Sequence, residues 1–208
     1  SSRAAEMLGG RADLRLVICH LEQGCSAAAV RGRICVDTTM GFTPLDGLVM
    51  ATRSGSLDPG ALLFVQQHHG LSAAEVERAL NRESGLLGLS GISGDLREVR
   101  AAAAVGNERA KLALDVYIRR LRQAIGALTA MLGGIDALIF TGGVGEHAGD
   151  VRASTCADLK YLGLEIDAAA NAAANADADI ATANSAVRVL VIAAREDLVM
   201  LREVRRLT

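Results

Sequence analysis

The chain has 208 residues and a mass of 21.6 kDa, and half of its residues are hydrophobic while only 2% are aromatic. This apolar content supports one substantial core or two small ones, and it excludes a disordered tail or a collagen-like rod. The formal net charge of -2 gives the chain no general attraction for nucleic acid or for an anionic membrane surface, so neither is an expected partner.

Neither a membrane span nor an export signal is expected. No run of about eighteen apolar residues is free of charge, and residues 1–10 lack the basic-then-apolar order of a signal peptide. Cys19, Cys25, Cys35 and Cys156 form no CxxC pair, and the first three lie in apolar, strand-like surroundings. Reduced, buried thiols and a cytoplasmic location are therefore predicted, rather than disulfides or a zinc site.

The first predicted elements are a helix end and a group of strands. Residues 2–8 are typical of the last turns of a helix, which Gly9 and Gly10 end. Arg31 and Gly32 form a predicted turn. Three extended segments are predicted, the first from Leu14, the second at 26–30 and the third at 33–39. The chain therefore begins with a predicted three-strand antiparallel meander.

Beyond Pro59 the spacing of apolar residues becomes helical. Ser72 and Glu75 form a predicted capping box that starts a helix, and residues 108–132 have the longest amphipathic pattern. The other predicted elements are a helix at 97–105, a strand at 137–141, a helix at 151–161, a helix followed by a surface loop within 168–184, a strand at 187–193 and a helix at 195–206. Strands alternating with helices predict an α/β fold.

The first segment that could carry chemistry is the turn between the first two strands. Gly24 would leave backbone N–H groups free to cradle a phosphate oxyanion, and His20 could donate a further hydrogen bond. The alternative is an ordinary hairpin with a partly buried histidine. The spacing alone favours the hairpin.

The second segment, residues 40–59, contains both prolines of the chain and lies between the strands and the helices. Arg53 is flanked there by small residues, which leaves room for its guanidinium to bind a carboxylate or phosphate through two hydrogen bonds. A surface ion pair with Asp46 or Asp58 explains the same pattern equally well.

The third segment places Gly142, Gly143 and Gly145 directly after a buried-type strand and before a helix. Glycines at this edge of an open α/β sheet let the backbone approach a ligand, although they also serve simply to close a strand-helix corner.

The fourth segment contains acidic residues at predicted helix starts. Glu196 could hold Mg²⁺ through water, but the helix dipole favours acids there without any function. Asp95 is a natural N-cap, and Arg97 could flank a nucleotide base.

In this order and spacing, the motifs resemble those of acetate kinases over essentially the whole chain. They are HLxxG at 20–24, VDTTMGFTPLDGL at 36–48, TRSG at 52–55 with DP at 58–59, SGLLGxSG at 84–91 and FTGGxGE at 140–146. Propionate kinases share these motifs, so the resemblance does not distinguish acetate from propionate.

The resemblance implies a ribonuclease-H-like domain of the actin, sugar-kinase and Hsp70 superfamily. Residues 1–208 would be the C-terminal, nucleotide-binding domain, without the N-terminal half that supplies part of the acyl site, and would form a homodimer. The implied reaction is phosphorylation of acetate, or another short-chain carboxylate, by ATP with Mg²⁺, and the chain alone is expected to be inactive. The alternative is a non-catalytic nucleotide-binding or dimerisation module.

The resemblance also implies roles for individual residues. Arg53 and His20 would be catalytic, and Glu196 would lie near Mg²⁺. The residues implied for binding ATP or ADP are His20, Gln23, Gly24, Asp95, Leu96, Arg97, Gly142, Gly143, Val144, Gly145 and Val151.

The sequence departs from the family pattern at three places. Glu22 and Gln23 replace the usual Gly-Asn of the phosphate loop, His147 replaces an Asn, and Arg195 begins the Arg-Glu-Asp that replaces Asn-Glu-Glu. A carboxylate beside polyphosphate is repulsive, by about 1 kcal/mol for unit charges ~4 Å apart in water. Weakened ATP turnover is therefore expected.

Overall fold

The computed structural model describes residues 1–175, 177–195, 197, 200, 201, 204 and 205, and within these ranges its strands form one six-stranded sheet. The strands are β1 (Arg15–Leu21), β2 (Cys25–Arg31), β3 (Ile34–Thr38), β4 (Ala137–Thr141), β5 (Ala178–Asp179) and β6 (Arg188–Val191). The helices are α1 (Ser2–Met7), α2 (Pro59–His69), α3 (Ala73–Arg82), α4 (Gly85–Ser90), α5 (Leu96–Ala104), α6 (Glu108–Leu132), α7 (Gly142–His147), α8 (Gly149–Ala157) and α9 (Ala168–Ala173), with a 3-10 turn at Lys160–Leu162.

The predicted antiparallel meander is confirmed by the pairing of β1 with β2 and of β2 with β3. The turn between β2 and β3 lies one residue later than predicted, because Arg31 pairs with Ile34 and leaves Gly32 and Arg33 at the tip. Both tip residues have positive φ, 53° and 73°. Two-residue hairpins favour this conformation because its twist matches that of the strands.

The centre of the sheet is parallel. The strand order is β3-β2-β1-β4-β6-β5, in which β4 pairs in parallel with both β1 and β6. Val17 lies opposite Leu138, which in turn lies opposite Val189. The α/β class is therefore confirmed, and the carboxyl ends of the three parallel strands meet at one edge.

Both faces of the sheet are covered by helices. Alternate strand residues enter a large apolar cluster beneath α6, while Leu16, Ile139 and Leu190 face the opposite side and pack near Ala4 and Ala5 of α1. Successive side chains of a strand point to opposite faces, so β1 and β4 contribute to both cores.

Helix α6 has the bounds that its amphipathic pattern predicts. The Asn107 side chain caps its first turn, and Gly133 ends it with a φ of 66°. Leu121, Ile125 and Leu128 are buried against the sheet. The core of the same chain therefore covers most of the apolar face of this helix.

The prediction of buried thiols holds for three cysteines and is wrong for Cys35. Burial raises the pKa of the Cys19 and Cys25 thiols and raises that of Cys156 to about 12, which keeps all three protonated. Cys35 is exposed because it lies on β3, the edge strand, most of whose residues are exposed. Its neighbour Ile34 is also exposed.

Other differences concern short elements. Helix α4 lies in the SGLLGxSG motif, for which no helix was predicted, and α7 lies where a glycine turn was predicted. Strand β6 is shorter than predicted, and α8 ends at Ala157 rather than at 161. Helix α9 is confirmed, but β5 interrupts the predicted surface loop by pairing with β6. Much of the helix predicted at 195–206 lies outside the described residues. In the described part of the chain, no helix combines the length and apolarity needed to cross a membrane.

Replacing a core residue of α6 should test this packing. Ile125 is fully buried, so Ile125→Ala is expected to lower the free energy of unfolding by about 2–5 kcal/mol through lost transfer energy and a residual cavity. Leu112→Ala, on the same helix at a side chain that is 55% exposed, should change it by no more than about 0.5 kcal/mol. Urea unfolding of both variants measures the difference, and equal losses would contradict the described packing.

Candidate functional site

The candidate site lies at the edge where the three parallel strands end. His20 at the end of β1 lies opposite Thr141 at the end of β4, and the backbone N–H of Ile192 donates to Phe140 O at 2.9 Å. The loop after β1, helix α7 after β4 and the segment after β6 therefore lie side by side. Open α/β sheets bind ligands at this edge.

The turn between β1 and β2 is a hairpin, as its spacing favours, with a half-buried His20. Glu22 Oε2 lies 3.7 Å from His20 Nε2, and the backbone oxygen of Gln23 accepts a hydrogen bond from Ala51 N at 3.0 Å. A Cβ built on Gly143 would lie 3.8 Å from Glu22 Oε1. The Glu22 carboxylate thus extends from the turn after β1, the phosphate-loop candidate at residues 20–24, toward the glycine turn at residues 142–145.

Arg53 lies directly against this hairpin. A Cβ built on Gly24 would be 2.5 Å from Arg53 Nη2, so any other residue at position 24 would displace the guanidinium. Arg53 Nη1 donates to Pro44 O at 2.6 Å. The alternative ion pairs are not formed among the described residues, because Asp46 accepts from Ser56 Oγ and Asp58 caps α2.

Arg53 also borders an open cleft of about 910 Å³. The loop that contains Pro44 forms one wall, and α3 forms the other with Arg78 and Arg82. Arg78 is paired with Glu83 at 3.0 Å, so its charge is partly balanced within the chain. Glu77 also lines the cleft, but Arg53 and Arg82 leave an excess of positive charge, so the cleft suits an anionic ligand near Arg53.

The start of α5 lies next to the loop segment that contains Ala51 and Arg53. Asp95 caps the helix by accepting from Arg97 N at 2.8 Å, and its carboxylate pairs with the Arg97 guanidinium at 2.6 Å. The hydrogen bonds from the Arg97 side chain and backbone lower the pKa of Asp95. A Cβ on Gly94 would lie 3.0 Å from Ala51 O, so the two backbones are close. Because Ala51 N also donates to Gln23 O, Ala51 connects the start of α5 to the turn after β1.

The glycine turn forms the first part of α7 rather than an open loop. Gly142 has a φ of 79°, and a Cβ there would lie 2.8 Å from Leu21 O. Gly145 packs against Phe140 at the end of β4, and Val151 is buried in the following helix, α8. Close approach to backbone explains why glycine is needed at position 142.

An ion pair connects two helices that carry residues implied for nucleotide binding. Arg100 of α5 pairs with Asp150 of α8 at 2.6 Å, on the helices that also carry Leu96 and Val151. This ion pair links the helix that begins with Leu96 to the helix that contains Val151.

The predicted metal residue, Glu196, lies outside the described residues. Within the ranges that the structure describes, no group of three or more His, Cys, Asp or Glu side chains forms a metal site. The role of Glu196 toward Mg²⁺ stays a prediction.

Two charged residues at this edge were not predicted as site residues from the sequence, although Glu146 ends the FTGGxGE motif. Glu146 Oε1 accepts from the backbone N–H groups of Gly142 at 3.1 Å and Ala194 at 2.9 Å. Arg152 is 1% exposed and donates to Gly145 O and to Glu146 O, each at 2.8 Å. The available signals were a glutamate four residues after a helix-starting glycine, and an arginine among the apolar positions of α8.

Alanine at position 142 should measure how tightly α7 packs on β1. Gly142→Ala is expected to destabilise the fold by about 1–2 kcal/mol for its positive φ, and by about 1–3 kcal/mol more because of the Leu21 contact. Gly9 is a matched control, since it has the same φ of 79° and nothing within 4 Å of a built Cβ. Calorimetric melting of both variants tests this, and a Gly9→Ala loss as large as that of Gly142→Ala would contradict the contact argument.

The chain matches the model of the Acetokinase family over residues 1–202. It is 54% identical to an acetate kinase of Cyanothece sp. over 198 residues, which are 95% of this chain and 48% of that relative. The crystal structure of Porphyromonas gingivalis acetate kinase superposes with a TM-score of 0.94 at 39% identity, covering 97% of this chain and 51% of the other. A propionate kinase from Francisella tularensis superposes with a TM-score of 0.88 at 39% identity, covering 95% and 50%.

These matches agree with the geometry of the sheet edge and with the predicted actin and sugar-kinase type of α/β fold, which is thereby confirmed. The chain spans about half the length of the curated relatives it matches. The family match covers nearly all of the chain, including every motif described above, and the chain belongs to the acetokinase family.

Proposed function

We propose that residues 1–208 are the C-terminal, nucleotide-binding domain of a kinase that transfers a phosphoryl group between ATP and acetate or a related short-chain carboxylate. The observation that carries the proposal is the contact between Gly24 and Arg53, because it joins the phosphate-loop candidate to a guanidinium bordering an open cleft. Among the described residues, Nε and Nη2 of Arg53 have no hydrogen-bond partner, so they are free to bind a ligand.

In the proposed reaction a carboxylate oxygen attacks the γ-phosphorus, and the bond to the β,γ-bridging oxygen breaks as ADP leaves. Negative charge spreads over the equatorial oxygens of the transferring group, and a guanidinium stabilises this charge more in the transition state than in the ground state. Arg53 is assigned that role. His20, at the end of β1, is assigned a hydrogen bond to the same phosphates.

ATP and Mg²⁺ are the proposed cofactors. The glycine turn fits a nucleotide because Gly143 is exposed and has no side chain between the backbone and the open edge, and Asp95, Leu96 and Arg97 are assigned to the adenosine. Mg²⁺ would neutralise phosphate charge when bound, with Glu196 as the proposed acid near it. Glu22 opposes phosphate binding through repulsion, which supports the expectation of weakened turnover.

A homodimer is also proposed, formed through surfaces other than α6. Helix α2 has no buried residue, and Leu63 and Phe64 on it are 58% and 56% exposed. The fully exposed Phe42 lies in the loop that precedes this helix. Exposed apolar surface of this kind favours association. The buried thiols and the use of ATP suit a cytoplasmic location.

Light scattering at micromolar concentration tests the dimer. We expect twice the chain mass for the wild type and a shift toward the 21.6 kDa monomer in Phe64→Asp, since a buried charge at an interface is strongly unfavourable. Leu112→Asp, at the exposed start of α6, is the matched control and should stay dimeric. A wild-type mass of 21.6 kDa would disprove the dimer.

Turnover tests the assigned reaction. The 208-residue chain alone should make no acetyl phosphate above background, and a protein that also carries the proposed N-terminal half should make it. In that complete protein, Arg53→Ala is expected to lower kcat by on the order of 10³ with little change in nucleotide KM, because the contact strengthens as charge develops. The exposed Arg119 of α6 is the control, and Arg119→Ala should keep the wild-type kcat. An Arg53→Ala protein that loses thermal stability while keeping its kcat would contradict the assignment.

A further inference from the structure

Glu146 bridges two strand ends at the point where their pairing stops. The last backbone hydrogen bond between the strand ends runs from Ile192 N to Phe140 O. Two residues further along each segment, the N–H groups of Gly142 and Ala194 both donate to Glu146 Oε1, at 3.1 and 2.9 Å. One carboxylate oxygen thus acts as an additional link between β4 and β6 where the backbones no longer reach each other.

Arg152 fixes the backbone that carries this carboxylate. Its Nη1 donates to Gly145 O and Glu146 O, while its Nε and Nη2 donate to the side chain and backbone oxygens of Asn171 at 2.8 and 2.9 Å. Asn171 in turn donates to Gly149 O at 2.8 Å. The guanidinium therefore ties the end of α7 to α8 and α9.

The two residues hold opposite ends of the same short helix. The Glu146 side chain satisfies the N–H of Gly142, the first residue of α7, and Arg152 satisfies two of the last carbonyls of α7. A helix of this length has little stability of its own, so its position depends on such external partners. Burial lowers the pKa of Arg152, which means that the buried site itself disfavours the charge and that the surrounding oxygens must retain it.

We propose that Glu146, held by Arg152, is a positioning residue that fixes the spacing between the glycine turn and the segment after β6, and that this spacing sets the affinity for an adenine nucleotide. The inference rests on the proposed nucleotide-binding function. Glu146 acts through the backbone of the glycine turn, and neither oxygen needs to touch the nucleotide. The bridge keeps the turn in its binding conformation before the ligand arrives, which reduces the entropy lost on binding.

Three variants of the 208-residue chain test the proposal. In Glu146→Ala, hydrogen exchange without ligand should become faster in peptides covering 142–147 and 192–195, and the Kd for ADP, the probe, should rise about tenfold, as expected for two lost hydrogen bonds. Glu146→Gln keeps an acceptor oxygen and should remain within about threefold of the wild type in both measurements. Glu108→Ala removes an exposed glutamate that pairs with Lys111 and should change neither.

Ile125→Ala separates positioning from general stability. This core variant should unfold more easily, yet it should bind ADP with the wild-type Kd at a temperature where it remains folded. Unchanged exchange and unchanged Kd in Glu146→Ala would overturn the inference, as would equal weakening of ADP binding in Ile125→Ala. A wild-type chain that does not bind millimolar ADP would overturn the proposed nucleotide-binding function, while the exchange measurement would still decide whether the bridge exists.

Discussion

The parallel pairing of β4 with β1 and β6 is the constraint on which the rest of the molecule depends. It places three strand ends at one edge, so residues as distant in sequence as His20, Thr141 and Ile192 become neighbours. Apolar side chains on both faces fix this register, because a slip by one residue would move every side chain to the opposite core. The position of the candidate site is therefore a consequence of core packing.

Glycine extends that constraint from the sheet to the loops. The backbone of Leu21 comes so close to Gly142 that a side chain there would collide with it, and Gly24 leaves the space that the Arg53 guanidinium occupies. The first contact is between two backbones and cannot relax, whereas the second involves the end of a flexible side chain. Gly142 thus maintains the fold at this edge, and Gly24 maintains the placement of the Arg53 guanidinium.

The sequence predicted what depends on local spacing and missed what depends on distant partners. Helix α6, strand β4 and the Ser72 capping box match their predictions, because periodicity and capping are properties of neighbouring residues. Strand β5 exists through its pairing with β6, and Cys35 is exposed because it lies on the edge strand β3, neither of which is visible in a local pattern. The hydrogen bond from Ala194 to Glu146 spans 48 residues and was likewise missed. The motif residues were found only through their family resemblance, since hairpin, N-cap and ion-pair alternatives matched the same spacings.

The two arginines near the strand ends differ in how many of their donors the chain itself satisfies. Arg152 is buried, and its three nitrogens donate to carbonyl and amide oxygens, so substitution would leave these oxygens unpaired and a cavity behind. Arg53 makes one described hydrogen bond, to Pro44 O, and directs the rest of its guanidinium toward the space beside Gly24 and the cleft. A buried guanidinium whose three nitrogens are all hydrogen-bonded within the chain can position its neighbours but offers little to a ligand. A half-satisfied guanidinium at an open edge retains the donors that an anion requires, which supports the role proposed for Arg53 toward the phosphoryl group and leaves Arg152 the role of holding α7.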